Sequence, residues 1–396
     1  MTRFDLLSWG ANSHHQLGQS VESEQCVSPV AVNLNAVLGL TESEIEIKKV
    51  TGGAGHSLIL DVNGNVYSCG WNAKGQTGIP GSQSYLSKFE LIDKLKDVVI
   101  VDVACGWDSS MAIDNKGNLY VWGSNAYGQL GVRSSKIGNK AVIESPEKID
   151  LQDFESEPIK KVSMGLRHSA VVTISGKLLV AGNGNKCQLG VIDSSNKPVR
   201  KIHTFTQVHD LSGIKSVACG QHHTLVQTNQ GNLYAWGDNR HGQLGFDPIA
   251  YPSIASPSKL ENINIGLNGE IFTGWTHSAA LHDGKIIAWG RNTYGQLGRA
   301  ELNKFQRNWI PELVKNKECH FIQLAVGSEH NVALTENGSV ITWGWNEHGN
   351  CGNGTEEDVR LPVPIEMPKL GRVQLVGTGA GHSFAVVKYR EDQENR

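Results

Sequence analysis

The sequence predicts an all-β fold: a seven-bladed β-propeller of four-stranded antiparallel blades, its ring closed by pairing of the N- and C-terminal strands. Three observations predict it. The decapeptide Trp-Gly-x-Asn-x-x-Gly-Gln-Leu-Gly recurs seven times along 396 residues, its copies beginning at Trp9, Cys69, Trp122, Ala181, Trp236, Trp289 and Trp343. Successive copies start 60, 53, 59, 55, 53 and 54 residues apart, and such a period, with Gly and aromatics at fixed offsets, belongs to propellers and related arrays. A second signature, Gly-x-x-His, precedes the decapeptides, and the two chain ends carry complementary parts of one repeat.

Each element follows from its residues. In the copy that ends at Trp236, Val217-Ala218-Cys219 reads as an apolar strand and Gly220-Gln221-His222-His223 as a turn into a second strand. Gly231-Asn232 reads as a hairpin turn, and Leu233-Tyr234-Ala235-Trp236 as the strand beyond it. Short strands bounded by Gly and Asn argue for antiparallel hairpins. The Trp-Gly pair is expected to end the inner strand, its glycine permitting a bend that a side chain would block. No stretch shows a helical period. The segments 19–46, 79–98, 132–159, 191–213, 246–268, 299–320 and 353–371 hold most prolines and charges, including the mixed-sign run Asp153 to Lys161. They read as outer strands and their connections, with loops free to carry specificity.

The N-terminal strand Phe4 to Trp9 has no preceding Gly-x-x-His, and the last such segment, Gly379 to Val387, has no following decapeptide. Pairing the two completes the seventh blade and leaves no open sheet edge. One domain over residues 1–387 follows, with a charged tail at 388–396.

Composition narrows the function classes. A net charge of -3 is not the basic surface that neutralises nucleic-acid phosphates. No apolar run approaches the roughly 20 residues that span a membrane, and the N-terminus lacks a signal-peptide layout. A soluble, monomeric, cytoplasmic chain, with the nucleus as a second location, is the expectation. The seven cysteines include no Cys-x-x-Cys pair, and Cys69, Cys105, Cys219 and Cys351 occupy repeat slots. They read as buried thiols in a reducing compartment, with no disulfide or zinc framework. No cofactor or metal is expected.

The two motifs together resemble the regulator of chromosome condensation repeat family, over essentially residues 4–387. The resemblance implies a seven-bladed propeller, often with one blade shared between the termini. It also implies functions as different as exchange on a Ran-type GTPase, ultraviolet sensing, ubiquitin-ligase modules and adaptors, among which fold does not choose. A finer likeness is carried by Ala104-Cys105-Gly106-Trp107-Asp108, Gly165-Leu166-Arg167-His168, Gly274-Trp275-Thr276-His277, Gly327-Ser328-Glu329-His330 and the decapeptide from Trp343. It resembles the branch of secretion-regulating guanine nucleotide exchange factors and yeast alpha-tubulin suppressor proteins. That branch implies a protein-interaction regulator whose partner is a small zinc-binding protein of diphthamide synthesis and, in yeast, tRNA modification.

His56, His168, His223, His277, His330 and His382 close the Gly-x-x-His signatures, with Ser109 as the exception. A residue repeated in six blades reads as blade geometry, most of these imidazoles bonding a neighbouring loop carbonyl at one end of the ring. Asp108 departs from the repeat. The resemblance to the Ran exchange factor gives it the acidic slot facing a GTPase, with His223 and His330 in histidine slots. Against Ran exchange, Trp122 to Gly131 carries no inserted wedge hairpin, and the basic N-terminal tail is missing. No phosphate loop and no catalytic constellation stand outside the repeat. Trp107, Trp275 and Trp345, each after a glycine, read as protein contacts, because Trp and Arg concentrate at interface hot spots. Light sensing needs denser tryptophans with paired arginines. The expected partner-binding set is Trp107, Asp108, Arg167, His223, Trp275, Glu329, His330 and Trp345. The alternative is exchange on a Ran- or Ras-like GTPase through Asp108, His223 and His330.

Overall fold

The computed structural model describes every residue except 1, 20–22, 33, 35–44, 82, 133–140, 150, 152–156, 300–306, 316–318, 369–370 and 391–396. Among the described residues, seven four-stranded antiparallel sheets form the ring. A sheet with two apolar faces cannot bury both alone, so each blade packs its faces against its two neighbours. Blade 1 is built from Ile47–Gly52, His56–Asp61, Val66–Trp71 and Tyr85–Leu91. Blades 2 to 6 repeat this order from Ile100, Ile159, Ile214, Glu270 and Phe321. The first strand of each blade lies innermost, and together these strands line a central channel of about 680 Å³.

The seventh blade joins the chain ends. Gly371–Thr378 and His382–Arg390 supply its inner two strands, and Thr2–Ala11 and Gln25–Val32 its outer two. Thr2–Ala11 runs antiparallel to His382–Arg390, with Thr2 opposite Arg390 and Gly10 opposite His382. Strand pairing thus extends past the expected domain end at 387. The rest of the expected tail, 391–396, lies outside the described residues.

Two expectations are corrected. The Trp-Gly pair does not end the inner strand. Trp122-Gly123, for example, sits on Leu119–Ser124, the third strand from the axis. The reason is that the Gly-x-x-His turn stands between two full strands, which displaces the decapeptide outward. The charged run Asp153 to Lys161 is not all connection either. Residues 153–156 lie outside the described residues, but Lys160 and Lys161 are on the innermost strand of blade 3.

A repeated set of buried hydrogen bonds fastens blade to blade. At six of the seven joints the histidine is fully buried, and its Nε2 meets a side chain of the next blade. The pairs are His56–Ser110 (2.9 Å), His168–Thr224 (3.0 Å), His223–Ser278 (3.0 Å), His277–Asn331 (3.1 Å), His330–Ser383 (2.9 Å) and His382–Ser57 (2.8 Å). The expected carbonyl acceptor is one bond further on. Ser110 Oγ donates to the Gln76 carbonyl at 2.9 Å, and the motif Trp122 Nε1–H donates to the same oxygen at 2.9 Å. Because each hydroxyl proton goes to a carbonyl, the imidazole must donate from Nε2, which fixes its neutral tautomer. Burial pushes His56, His168, His223, His330 and His382 down to about 3, since a charge there would lose its hydration. The first glycine of the signature is required by the ring itself: a Cβ at Gly220 would overlap His223.

One joint lacks both the imidazole and the indole. Between blades 2 and 3, Ser109 replaces the histidine and Ala181 replaces the tryptophan. The Ser169 hydroxyl bonded to the Gln129 carbonyl at 2.5 Å remains. Phe205, from the outer strand of blade 3, packs over Gly131 where other blades place the motif indole.

Candidate contact face

The Gly-x-x-His turns and the decapeptide loops open on the same end of the ring. Backbone bonds tie the two sets together: Ser124 N–H donates to the Asp108 carbonyl at 2.8 Å, and Trp345 N–H to the Glu329 carbonyl at 2.9 Å. Within each loop the motif side chains do the holding. Asn239 Oδ1 accepts from Leu244 N–H at 3.0 Å, and Gln243 Oε1 from His241 N–H at 2.9 Å. The seventh motif position takes a left-handed backbone, so His15 (φ 60°) and Cys187 (φ 66°) carry strain where other blades have glycine.

Three tiers of side chains result. Innermost are Trp107 of blade 2 and Trp275 of blade 5. They reach across the axis and meet with ring centroids 5.2 Å apart at 38°. Around the mouth, Ala54 N–H donates to the Trp107 carbonyl at 3.0 Å and Trp275 N–H to the Ser328 carbonyl at 2.7 Å. The indoles therefore stand on a hydrogen-bonded rim.

The next tier is the residue just before each histidine slot. Asp108 is half-buried, and burial raises its carboxyl, opposed by the Ser124 hydroxyl and the charges of Lys74 and Arg167. Arg167 is exposed, its guanidinium 4.3 Å from the centre of the Tyr127 ring. Glu329 is only 5% exposed. Its carboxylate accepts from Thr276 Oγ1 and Gln296 Nε2, both at 2.6 Å, and lies 3.8 Å from His277 Nδ1. It braces blade 5 against blade 6. Trp345 stands in the outer tier, donating Nε1–H to Glu347 at 3.2 Å and packing edge-on to His348 at 5.4 Å.

The structure thus brings Trp107, Asp108, Arg167, Trp275 and Trp345 onto one face. His223 and His330 lie beneath it as buried joints, and Glu329 is turned inward. Trp71 escapes the sequence reading, since it lies inside a motif copy that opens on Cys69. Yet Gly70-Trp71 holds the same slot as Gly344-Trp345, and Trp71 packs on His14 at 5.1 Å. Arg291 over Tyr294 (4.9 Å) was findable the same way, by aligning the third position of every decapeptide. Among the described residues no group of three metal-ligating side chains converges, and no helix is long and apolar enough to cross a membrane.

A seven-bladed ring, closed through its termini and fastened by Gly-x-x-His joints, defines the class. The chain belongs to the RCC1-like domain family, which matches residues 5–385. It is similar to the secretion-regulating guanine nucleotide exchange factor of Mus musculus, 34% identical over 96% of this chain and 83% of that relative. It is also similar to the ultraviolet-B receptor UVR8 of Arabidopsis thaliana, 33% identical over 91% of this chain and 77% of the receptor. Among solved structures, Prp20p of Saccharomyces cerevisiae superposes with a TM-score of 0.83 at 24% identity, covering 99% of this chain and 93% of that one. Prp20p was characterised together with its binding to Gsp1p and histones; its likeness to this chain is one of fold.

Proposed function

We propose that this protein is a non-catalytic interaction regulator that holds a small protein partner on the tryptophan face. The observation that carries the reading is the Trp107–Trp275 pair at the centre of that face, ringed by Asp108, Arg167, Trp71 and Trp345. Central aromatics and arginines are where interface energy concentrates. Similarity to the secretion-regulating exchange factor supports a regulatory role. The partner we propose is the small zinc-binding protein of diphthamide and tRNA modification implied by that branch. Work in the cytoplasm, and also in the nucleus, fits this reading.

A second reading is guanine nucleotide exchange on a Ran- or Ras-like GTPase. The half-buried, raised carboxyl of Asp108 on the open face favours it. Of the three residues that reading names, Asp108 alone presents its side chain, because His223 and His330 are buried.

Titration of the full chain against the purified zinc-binding protein, and separately against a nucleotide-free GTPase, separates the two. The adaptor reading expects binding to the zinc protein that Trp107→Ala/Asp108→Ala weakens by about 30- to 1000-fold, from roughly 2–4 kcal/mol per hot spot. Tight binding confined to the nucleotide-free GTPase would overturn it in favour of exchange.

A further inference from the structure

The central channel has two chemically different ends. Its walls are strands of about six residues, so at ~3.3 Å per residue it runs roughly 20 Å. At the contact face, Trp107 and Trp275 narrow it. Below them the wall is uncharged, with Ala104, Cys105, Met164, Cys219 and Phe272 interleaved with the hydroxyls of Thr51, Ser163, Thr273 and Thr378. Burial pushes the Cys105 and Cys219 thiols up to about 12, so this stretch carries no charge at neutral pH.

The opposite end is cationic on one side. Lys48 and Lys49 of blade 1 and Lys160 and Lys161 of blade 3 line it, against Asp102 of blade 2 and Glu270 of blade 5. Asp102 is committed to Lys49 at 2.7 Å. Lys48 Nζ donates to the Val101 carbonyl at 3.2 Å and keeps donors to spare. Lys160 and Lys161 have no hydrogen bond or ion pair among the described residues. Burial holds Lys160 below the usual lysine range; Glu157 raises it and Lys161 lowers it further. Glu157 is itself engaged by Lys177 at 3.3 Å. Blade 4 carries Lys215-Ser216 at the same inner-strand positions, but Lys215 Nζ is committed to the Leu267 and Gly269 carbonyls at 2.5 and 3.0 Å. Blades 6 and 7 carry Ile322-Gln323 and Gln374-Leu375, so the paired lysines are particular to blades 1 and 3.

The channel holds about 680 Å³, within the roughly 300–1,000 Å³ range usual for small-molecule sites. We propose that the channel binds a small amphiphilic anion, its apolar body against Phe272, Met164 and the tryptophan pair and its phosphate or carboxylate head at Lys48, Lys160 and Lys161. The ligand enters from the end opposite the contact face. A partner and a ligand can therefore bind together, sharing only the two indoles. This site does not depend on which protein partner is held.

The test titrates the full chain with n-octyl phosphate, octanoate and octyltrimethylammonium below their micellar concentrations, by calorimetry and tryptophan fluorescence. Saturable binding of at least one anion is expected, and the better of the two identifies the head group. Lys160→Gln/Lys161→Gln should weaken it at least tenfold, as should the single Lys161→Gln at an exposed position to a smaller degree. The fluorescence change should vanish in Trp107→Phe/Trp275→Phe. No saturable binding of either anion, equal binding of the cationic homologue, or unchanged affinity in folded lysine variants would overturn the proposal.

Discussion

The joint between blades 3 and 4 and the joint between blades 2 and 3 are built from the same repeat with different parts. Between blades 3 and 4, His168 bonds Thr224, and both Thr224 and the Trp236 indole donate to the Gln188 carbonyl, at 2.8 and 3.0 Å. Between blades 2 and 3 only the Ser169 bond to Gln129 survives. Volume is nevertheless restored there, because Phe205 packs over Gly131. The joint that closes the ring repeats the substitution: Cys69 stands for the motif indole, and Phe89 packs over Gly18. The difference teaches that the motif tryptophan has two separable duties, filling the joint and supplying an N–H. At these two joints a phenylalanine of the outer strand takes over the first, and the indole N–H is absent. The least fastened joint is also the one that carries Asp108 and Arg167 on its surface.

The largest way to act on this contrast is acid. Each of five histidines binds its proton more weakly folded, near 3, than unfolded, near 6.5. Unfolding therefore takes up protons between those values, and stability, fully present above about pH 6.5, falls as pH drops toward 3. Between pH 8 and 5 the loss is about 2 kcal/mol per histidine, so the urea midpoint should fall steeply. Hydrogen exchange should find the joint between blades 2 and 3 opening first at pH 7.5, with the histidine joints overtaking it near pH 5. A midpoint flat across that range would refute the neutral buried imidazoles.

Next in size is Trp236→Ala, expected to cost about 3–5 kcal/mol by leaving a cavity. Trp236→Phe converts the joint between blades 3 and 4 toward its neighbour's form and should cost only about 1–2 kcal/mol, mostly the lost N–H bond. Equal costs for the two would mean the indole's shape matters less than its donor. Smallest is Ser109→His, which adds the missing imidazole opposite Ser169. Gly106 already leaves room for the ring, so a gain of about 0.5–1.5 kcal/mol is expected in chemical denaturation. A loss would show that the Phe205 packing has reset this joint's spacing.

Much of this was legible in the residues. Seven motif copies in register fixed blade number, and the unmatched parts at Trp9 and His382 pointed to the shared blade. What the repeat could not convey was radial order, since a period along the chain says nothing about distance from an axis. Hence the motif predicts a Trp-Gly pair on the inner strand, whereas the pair lies on the third. Burial of His223 and His330 was equally hidden, because a turn signature looks exposed until the neighbouring blade covers it. Trp107 and Trp275 stand 168 residues apart, and only ring closure sets them across one axis. That Ser109 and Ala181 weaken the same joint also needed the structure, since they belong to different blades.

The shared seventh blade has a consequence in time. Ribosomes add roughly 5–20 residues per second, so Thr2–Ala11 leaves the ribosome roughly 20 to 75 seconds before its partner His382–Arg390. Through that interval the first hairpin has a bare edge and six blades have an open seam. Thr2–Ala11 waits through all the intervening blades for its partner, and until His382–Arg390 emerges the nascent ring is an arc whose two sticky ends stay exposed to chaperones or to a second copy.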